Sequence, residues 1–283
     1  MRRLASLLRF LVPVGLVAVV LWFVDPRAAW DELRSARIAP LLGALALSQM
    51  VIVASALRWA DTCTRLGRSI PIREAVSEYY LSSLFNQVLP GGIAGDAVRA
   101  WRGRSRGGAL PVARGVAIER MSGQVAMAAA LLAGVALGGV PGTGRLVGAF
   151  VAGVIAVLAA LVIVLKFGAD LRRAWGTGPA ILAQALLNLA IVAGLVGGFA
   201  LCARAVGTGM GLADALVVIP VCLAAMLVPV GIGGLGMREG AAAALWPLAG
   251  FAAEAGVAAS LLFGGVSLLG AMPGLVVLVH RRR

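Results

Sequence analysis

Two stretches far apart in the chain carry the same residue types at the same offsets. Pro90-Gly-Gly-Ile-Ala-Gly-Asp-Ala-Val-Arg99 and Pro229-Val-Gly-Ile-Gly-Gly-Leu-Gly-Met-Arg238 share Pro, Gly, Ile, Gly and Arg, and Glu239 follows the second. Proline stops a preceding helix, and glycine permits backbone that other residues avoid. A helix that restarts near Asp96 or Met237 turns unpaired N–H groups and a positive dipole end toward the break, which suits an anion. Asp96 and Arg99 are three residues apart and share a helical face. Glu119-Arg120 and Arg238-Glu239 add two more juxtaposed opposite charges.

These charges stand in a very apolar chain. A lipid-facing charge at bilayer depth costs about 2.5–3.5 kcal/mol. Six of them, Asp96, Arg99, Glu119, Arg120, Arg238 and Glu239, would cost roughly 15–20 kcal/mol, against a net protein stability of about 5–15. They must therefore pair, lie near the interface or line a polar cavity. For the glycines alone the plainer role is close helix packing; for the charges it is mutual pairing or interfacial snorkelling. Binding of a charged substrate is the functional alternative. Arg238 is informative because a cation in a helix's first turn opposes the dipole. Glu239, Asp96 or a bound anion would compensate it.

Of 283 residues, 61% are hydrophobic and only 13% charged, which describes a polytopic membrane protein and not a soluble domain. The length allows roughly six to nine spans of about 20 residues and leaves little for a soluble catalytic domain. The net charge of +13 does not point to nucleic acid. Aromatic residues are few, and the arginines sit in short loops between apolar runs, where they orient the chain and meet anionic headgroups. Cys63, Cys202 and Cys222 lack metal-ligand spacing and read as small apolar fillers. The single histidine, His280, lies in a basic tail, so neither a zinc site nor Ser-His or Cys-His catalysis is expected. The reading is a protein without a cofactor and without enzymatic chemistry.

Apolar runs place full spans near Leu7–Val24, Pro40–Leu57, Ile118–Val140, Leu146–Phe167, Ala180–Cys202 and Val257–His280. Leu7–Val24 follows a basic start but ends in Asp25-Pro26-Arg27, without a small-residue cleavage site, and reads as a retained span. Arginine-rich stretches 58–73, 99–114 and 166–175, with both termini, are expected on the cytoplasmic side. Residues 74–98 then begin and end on one side, as do residues 215–246 on the other. Each must enter and return, with its Pro/Gly motif at the turn. The fold expected is an all-α polytopic membrane protein of about six full spans plus two re-entrant or paired short-helix segments. It forms a single membrane domain, 1–283, arranged as an inverted-topology repeat with halves of about 1–140 and 146–283.

Other patterns carry less. Gly231-Ile-Gly-Gly-Leu-Gly236 matches the dinucleotide fingerprint, but no βαβ context surrounds it. Gly134/Gly138 and Gly194/Gly198 match a small-residue contact motif that is weak in so glycine-rich a chain. Arg58-Trp59, at the end of the second span, reads as an interfacial anchor.

Phe85-Asn86-Gln87-Val-Leu-Pro-Gly-Gly-Ile-Ala-Gly-Asp-Ala-Val-Arg99, Glu119-Arg120 and Gly233-Gly-Leu-Gly-Met-Arg-Glu239 together resemble the flippase-like membrane region of lysylphosphatidylglycerol synthases and its stand-alone relatives. The resemblance covers nearly the whole chain but no soluble aminoacyl-transfer domain, so it does not imply synthase activity. It implies an inner-membrane protein that moves or binds anionic phospholipids or polyprenyl-phosphate-linked lipids. Asn86, Pro90, Gly92, Gly95, Asp96, Arg99, Glu119, Arg120, Gly233, Gly234, Gly236, Arg238 and Glu239 are the residues expected at the lipid. Arg99, Arg120 and Arg238 would hold a phosphate, and Asp96, Glu119 and Glu239 would pair with them. Two alternatives remain: a non-transporting lipid-binding partner of a separately encoded glycosyltransferase or lipid synthase, and, less in keeping with these residues, an intramembrane lipid-phosphate enzyme.

Overall fold

The computed structural model of the protein describes residues 25–89, 94–102, 109–140, 168–227 and 233–280. Among the described residues every regular element is helical. The expected spans Leu7–Val24 and Leu146–Phe167 lie outside the described residues, as do Pro90, Gly92 and the arginines of 103–108 and 281–283.

The chain enters the described region through α1 (Pro26–Arg34), a short amphipathic helix. Pro26 at its first position and the Asp25 carboxylate, which accepts from Arg27 N at 2.8 Å, start it. Helix α2 (Ile38–Arg65) follows; then come α3 (Ile72–Val88), α4 (Ala94–Arg102) and α5 (Ala109–Ala136). Helix α6 (Gly168–Trp175) is short and amphipathic like α1. After it come α7 (Gly178–Ala205), α8 (Leu212–Ala225), α9 (Met237–Leu245), α10 (Ala253–Ala271) and α11 (Pro273–His280). Four stretches are long and apolar enough to cross a bilayer: Ile38–Arg65, Val112–Ala136, Gly178–Ala205 and Ala253–Val279. They coincide with four of the six spans read from the sequence.

Both motif segments are pairs of short helices that fold back on themselves. At 17 and 9 residues, α3 and α4 are about 25 and 13 Å long, short of a hydrocarbon core of about 30 Å. Glu78 meets Arg102 near the open end of this hairpin, and Asn86 meets Gly95 near its turn. Helices α8 and α9, of 14 and 9 residues, do the same, with Gly234 against Met226. The second turn needs glycine, because Gly233, Gly234 and Gly236 hold φ values of 58°, 78° and 90°.

Helices α2 and α7 run antiparallel along their full lengths. Arg37 N donates to Ala205 O at 2.9 Å at one end, and Gln184 donates to Asp61 at 2.8 Å at the other. Gly194 and Gly198 lie against α2, so the small-residue pattern does mark a helix contact here. A core of Phe199, Trp246 and Phe263 joins α7 to the second hairpin and α10, with Phe199 stacked on Phe263 at 4.9 Å. The three cysteines are buried among apolar side chains.

Each hairpin is seated on the other end of the chain. Helix α8 lies against the end of α5, where a Cβ on Gly134 would come within 2.8 Å of the Leu216 backbone. Helix α3 lies against α11, where a Cβ on Gly274 would meet the Tyr80 carbonyl oxygen at 2.6 Å. Arg114 and Asp170, 3.1 Å apart, bring the start of α5 next to α6. Two of the basic stretches assigned to one side of the membrane, 99–114 and 166–175, therefore meet at this pair.

The Gly134 contact yields a stability test. Gly134→Val forces its methyls into the α8 backbone and is expected to cost about 1–3 kcal/mol. Gly265→Ala meets nothing within 4 Å and is expected to be neutral or to stabilise by up to about 1 kcal/mol. Thermal unfolding of both variants in detergent, against wild type, checks the pair.

Candidate functional site

Glu119 is the node of a buried ion network built from five helices. It lies 2% exposed, about 10 Å along the Val112–Ala136 span. Helix α5 starts at Ala109, nine residues before the apolar run read from Ile118, so Glu119 and Arg120 lie well inside a helix and do not open one. Glu119 Oε1 accepts from Arg58 Nη2 of α2 at 3.2 Å and from the Tyr79 hydroxyl of α3. Its Oε2 accepts from Arg99 Nη2 of α4 at 2.9 Å. Arg58 Nη1 reaches Asn188 of α7.

Arg99 is held on all sides. It forms ion pairs with Asp96 at 3.0 Å and Glu119 at 2.9 Å, and its guanidinium lies 4.6 Å from the Trp59 ring and 4.5 Å from the Tyr79 ring. Such stacking suits a weakly hydrated guanidinium away from water. Asp96 bridges: Oδ1 accepts from Arg99, and Oδ2 accepts from Arg120 Nε at 2.8 Å and also from Arg120 Nη2. Three guanidinium groups, Arg58, Arg99 and Arg120, thus share two carboxylates, Asp96 and Glu119. Beside them Arg102 grips Glu78 through Nε and Nη2 at 3.1–3.3 Å.

Glycine at 95 is obligatory for this arrangement, because a Cβ there would overlap the Ser82 carbonyl of α3. The Gly95 N–H donates to Asn86 Oδ1 at 2.8 Å, so Asn86 caps the start of α4 from across the hairpin.

The second motif makes a separate, smaller network. Arg238 Nη2 donates to Glu239 Oε1 at 2.9 Å and Arg238 Nε to Ser260 Oγ at 2.8 Å, while Ser260 Oγ donates to Glu239 at 2.8 Å. Glu239 Oε2 accepts from Gly236 N at 2.6 Å and so caps α9. Arg238 and Glu239 are each 1% exposed. The cation that opposes the α9 dipole is thus answered by Glu239, the first of the three expected compensations, and not by Asp96.

The site residues of the first motif converge as expected: Asp96, Arg99, Glu119 and Arg120 form one network, with Asn86 and Gly95 shaping its helix. Arg238 and Glu239 do not join it. The two motifs meet elsewhere, where a Cβ on Gly233 would lie 2.8 Å from the Gln87 carbonyl oxygen. Pro90 and Gly92 lie outside the described residues. Arg58 and Trp59 are no interfacial anchor. They are 5% and 3% exposed, because α2 runs eight residues past the expected end and the following elements cover it. Sequence reasoning also missed Tyr79, Asn188 and Ser260. One signal was available for Tyr79: the chain's two tyrosines stand side by side in the half-polar segment, and both hydroxyls donate to polar side chains, Tyr79 to Glu119 and Tyr80 to Gln49.

A pair of Gly-rich hairpins, each with a buried arginine paired to a carboxylate, is the arrangement the quoted motifs foreshadowed. The model of the lysylphosphatidylglycerol synthase TM region matches residues 7–274. The chain belongs to that family. None of the curated proteins matches it. Family membership and the four spanning helices make this a multi-pass membrane protein with a lipid-related role.

The energetics of Glu119 are testable. Glu119→Ala leaves Arg58 a buried charge without a carboxylate and Arg99 with Asp96 alone, and is expected to cost about 3–5 kcal/mol. Arg65→Ala removes a pair with Asp61 whose side chains are 28% and 30% exposed, and is expected to cost about 0–1 kcal/mol. Unfolding midpoints in detergent give the comparison.

Proposed function

We propose that the protein carries a phosphate-bearing lipid across the membrane, with the Arg58–Arg99–Arg120 cluster as its headgroup site. The observation that carries this reading is the cluster itself. Three guanidinium groups share two carboxylates, between two helices long enough to span the membrane and the short α4, in a chain of a family named for lipid synthesis. Buried charge in a membrane protein is expensive and marks substrate or ion pathways. Arginine forks match phosphate oxygens in pairs, which favours an anionic phospholipid or a polyprenyl-phosphate-linked lipid.

The two hairpins are the moving parts in this reading. They touch at Gln87 and Gly233, and their separation would open the headgroup site from one side or the other. The recurrence of a short amphipathic helix, a 28-residue helix, a helical hairpin and a long helix in each half supports an inverted repeat. So does the antiparallel run of α2 against its counterpart α7. Glycines at 233, 234 and 236 let the second hairpin turn, while Arg238 and Glu239 hold its returning helix. In this reading both termini are cytoplasmic and the protein sits in the inner membrane, which the Arg114–Asp170 pair between two basic stretches supports.

Reconstitution into liposomes with a fluorescent phosphatidylglycerol and an outside quencher tests the proposal. Wild type is expected to move lipid between leaflets, Arg99→Ala and Arg120→Ala to slow it at least tenfold, and Arg65→Ala to leave it unchanged. Arginine variants that move lipid as fast as wild type would defeat the assignment. Wild type that binds lipid without moving it would turn the protein into the lipid-holding partner of a separate enzyme.

A further inference from the structure

The two carboxylates of the buried cluster are not equivalent. Glu119 is locked, with Arg58, Tyr79 and Arg99 donating to it at 2% exposure. Asp96 lies at the accessible edge. Both its oxygens are taken by arginines, one by Arg99 and the other by a two-pronged grip from Arg120, whose side chain is 41% exposed. Its further contact among the described residues is weak, Ser82 Oγ at 3.4 Å.

Asp96 occupies the kind of place a phosphate would take. It stands in the first turn of α4, where the dipole and the unpaired N–H groups favour an anion. A phosphate offers arginine forks a pair of oxygens much as a carboxylate does. A second observation points the same way. Arg99, 2% exposed, keeps Nε and Nη1 without hydrogen-bond partners among the described residues. The site holds more donor capacity than its own carboxylates use.

We propose that Asp96 is a built-in stand-in for the ligand's phosphate: its carboxylate fills the anion subsite of Arg99, Arg120 and the first turn of α4, and an incoming phosphate group displaces it. This rests on the lipid-transport reading and adds a function to one residue of it. The exchange keeps Arg120 paired to an anion at either end of a transport cycle, so no guanidinium is stranded. It also sets affinity. A site that is competent only a tenth of the time binds about ten times more weakly than the vacated site would. Weak holding is what release on the far side requires.

The test uses purified full-length protein in a phosphate-free sugar detergent, with binding followed by calorimetry. Dihexanoyl phosphatidylglycerol and inorganic phosphate are the two probes. Asp96→Asn is expected to bind the lipid at least tenfold more tightly than wild type, and Asp96→Glu to stay near wild type. Adding Arg120→Gln to Asp96→Asn is expected to abolish the gain. A gain for both probes means that phosphate alone is read; a gain confined to the lipid means that its glycerol and acyl parts are needed as well. Asp96→Asn that binds neither probe more tightly, while melting within a few degrees of wild type, overturns the proposal. A second measurement needs no variant. A wild-type structure determined with dihexanoyl phosphatidylglycerol should have phosphate on Arg120 and the Asp96 carboxylate turned away, and bound lipid with the Asp96–Arg120 pair intact overturns it. Wild type that moves lipid in liposomes, beside an Asp96→Asn that gains no affinity, sinks the stand-in alone. Wild type that moves none, beside an Asp96→Asn that gains, sinks the transport reading alone.

Discussion

A charge removed from water has to be answered inside the protein, and the first half of this structure is arranged around that requirement. Glu119 lies buried inside a span, and the donors that answer it, Arg58, Tyr79 and Arg99, come from three different helices. Asn188 of α7 extends the network to a fifth element. The network therefore ties the crossing angles and the register of five helices to one carboxylate. Apolar packing alone gives a bundle in lipid little such specificity, because lipid tails are as apolar as the side chains they touch.

The two motif hairpins answer the same requirement in different ways. Around Arg238 the account closes locally, since one carboxylate, one hydroxyl and the Met226 sulfur meet its three nitrogens and the carboxylate also caps its own helix. Around Arg99 the partners are spread over several helices, two aromatic faces substitute for hydrogen bonds, and one arginine stands half in the open. A shared sequence pattern thus supports a self-contained clamp in one half and a distributed network in the other. The difference traces to single residues. Position 96 is an aspartate where its counterpart, position 235, is a leucine, and position 239 is a glutamate where its counterpart, position 100, is an alanine.

The coarse architecture was legible because bilayer thickness and charge placement are strong constraints on a chain this apolar. The four described spans, the two hairpins and the juxtaposition of basic stretches follow from hydropathy and arginine position. The grouping of Asp96, Arg99, Glu119 and Arg120 was legible from the cost of burying them singly. What was not legible depends on where helices end and which faces they turn. Arg58 read as an interfacial residue because the apolar run stops at Leu57, whereas the helix continues to Arg65 and places that arginine beneath α3 and α7. Asn188 lies in a mostly apolar helix, where Gln184 one turn earlier is the one local sign that this face meets polar groups of α2. The expected meeting of the two arginines fell short because each motif closes on its own carboxylate, and the motifs abut through backbone at Gln87 and Gly233 instead.

The mutual seating of the two hairpins bears on how such a chain is made. Gln49 Nε2 donates to Gly270 O at 3.2 Å, a contact across 221 residues, while its Oε1 accepts from Tyr80 at 2.7 Å. During synthesis the first hairpin reaches the membrane long before the helix it rests on exists. Until residues near 270 emerge, the polar groups of α2 and α3 must be kept by water, headgroups or the insertion machinery. Biogenesis of this fold is therefore completed from its last span backward, and a truncation that spares every charged residue yet removes the final helix would leave the earliest hairpin without its seat.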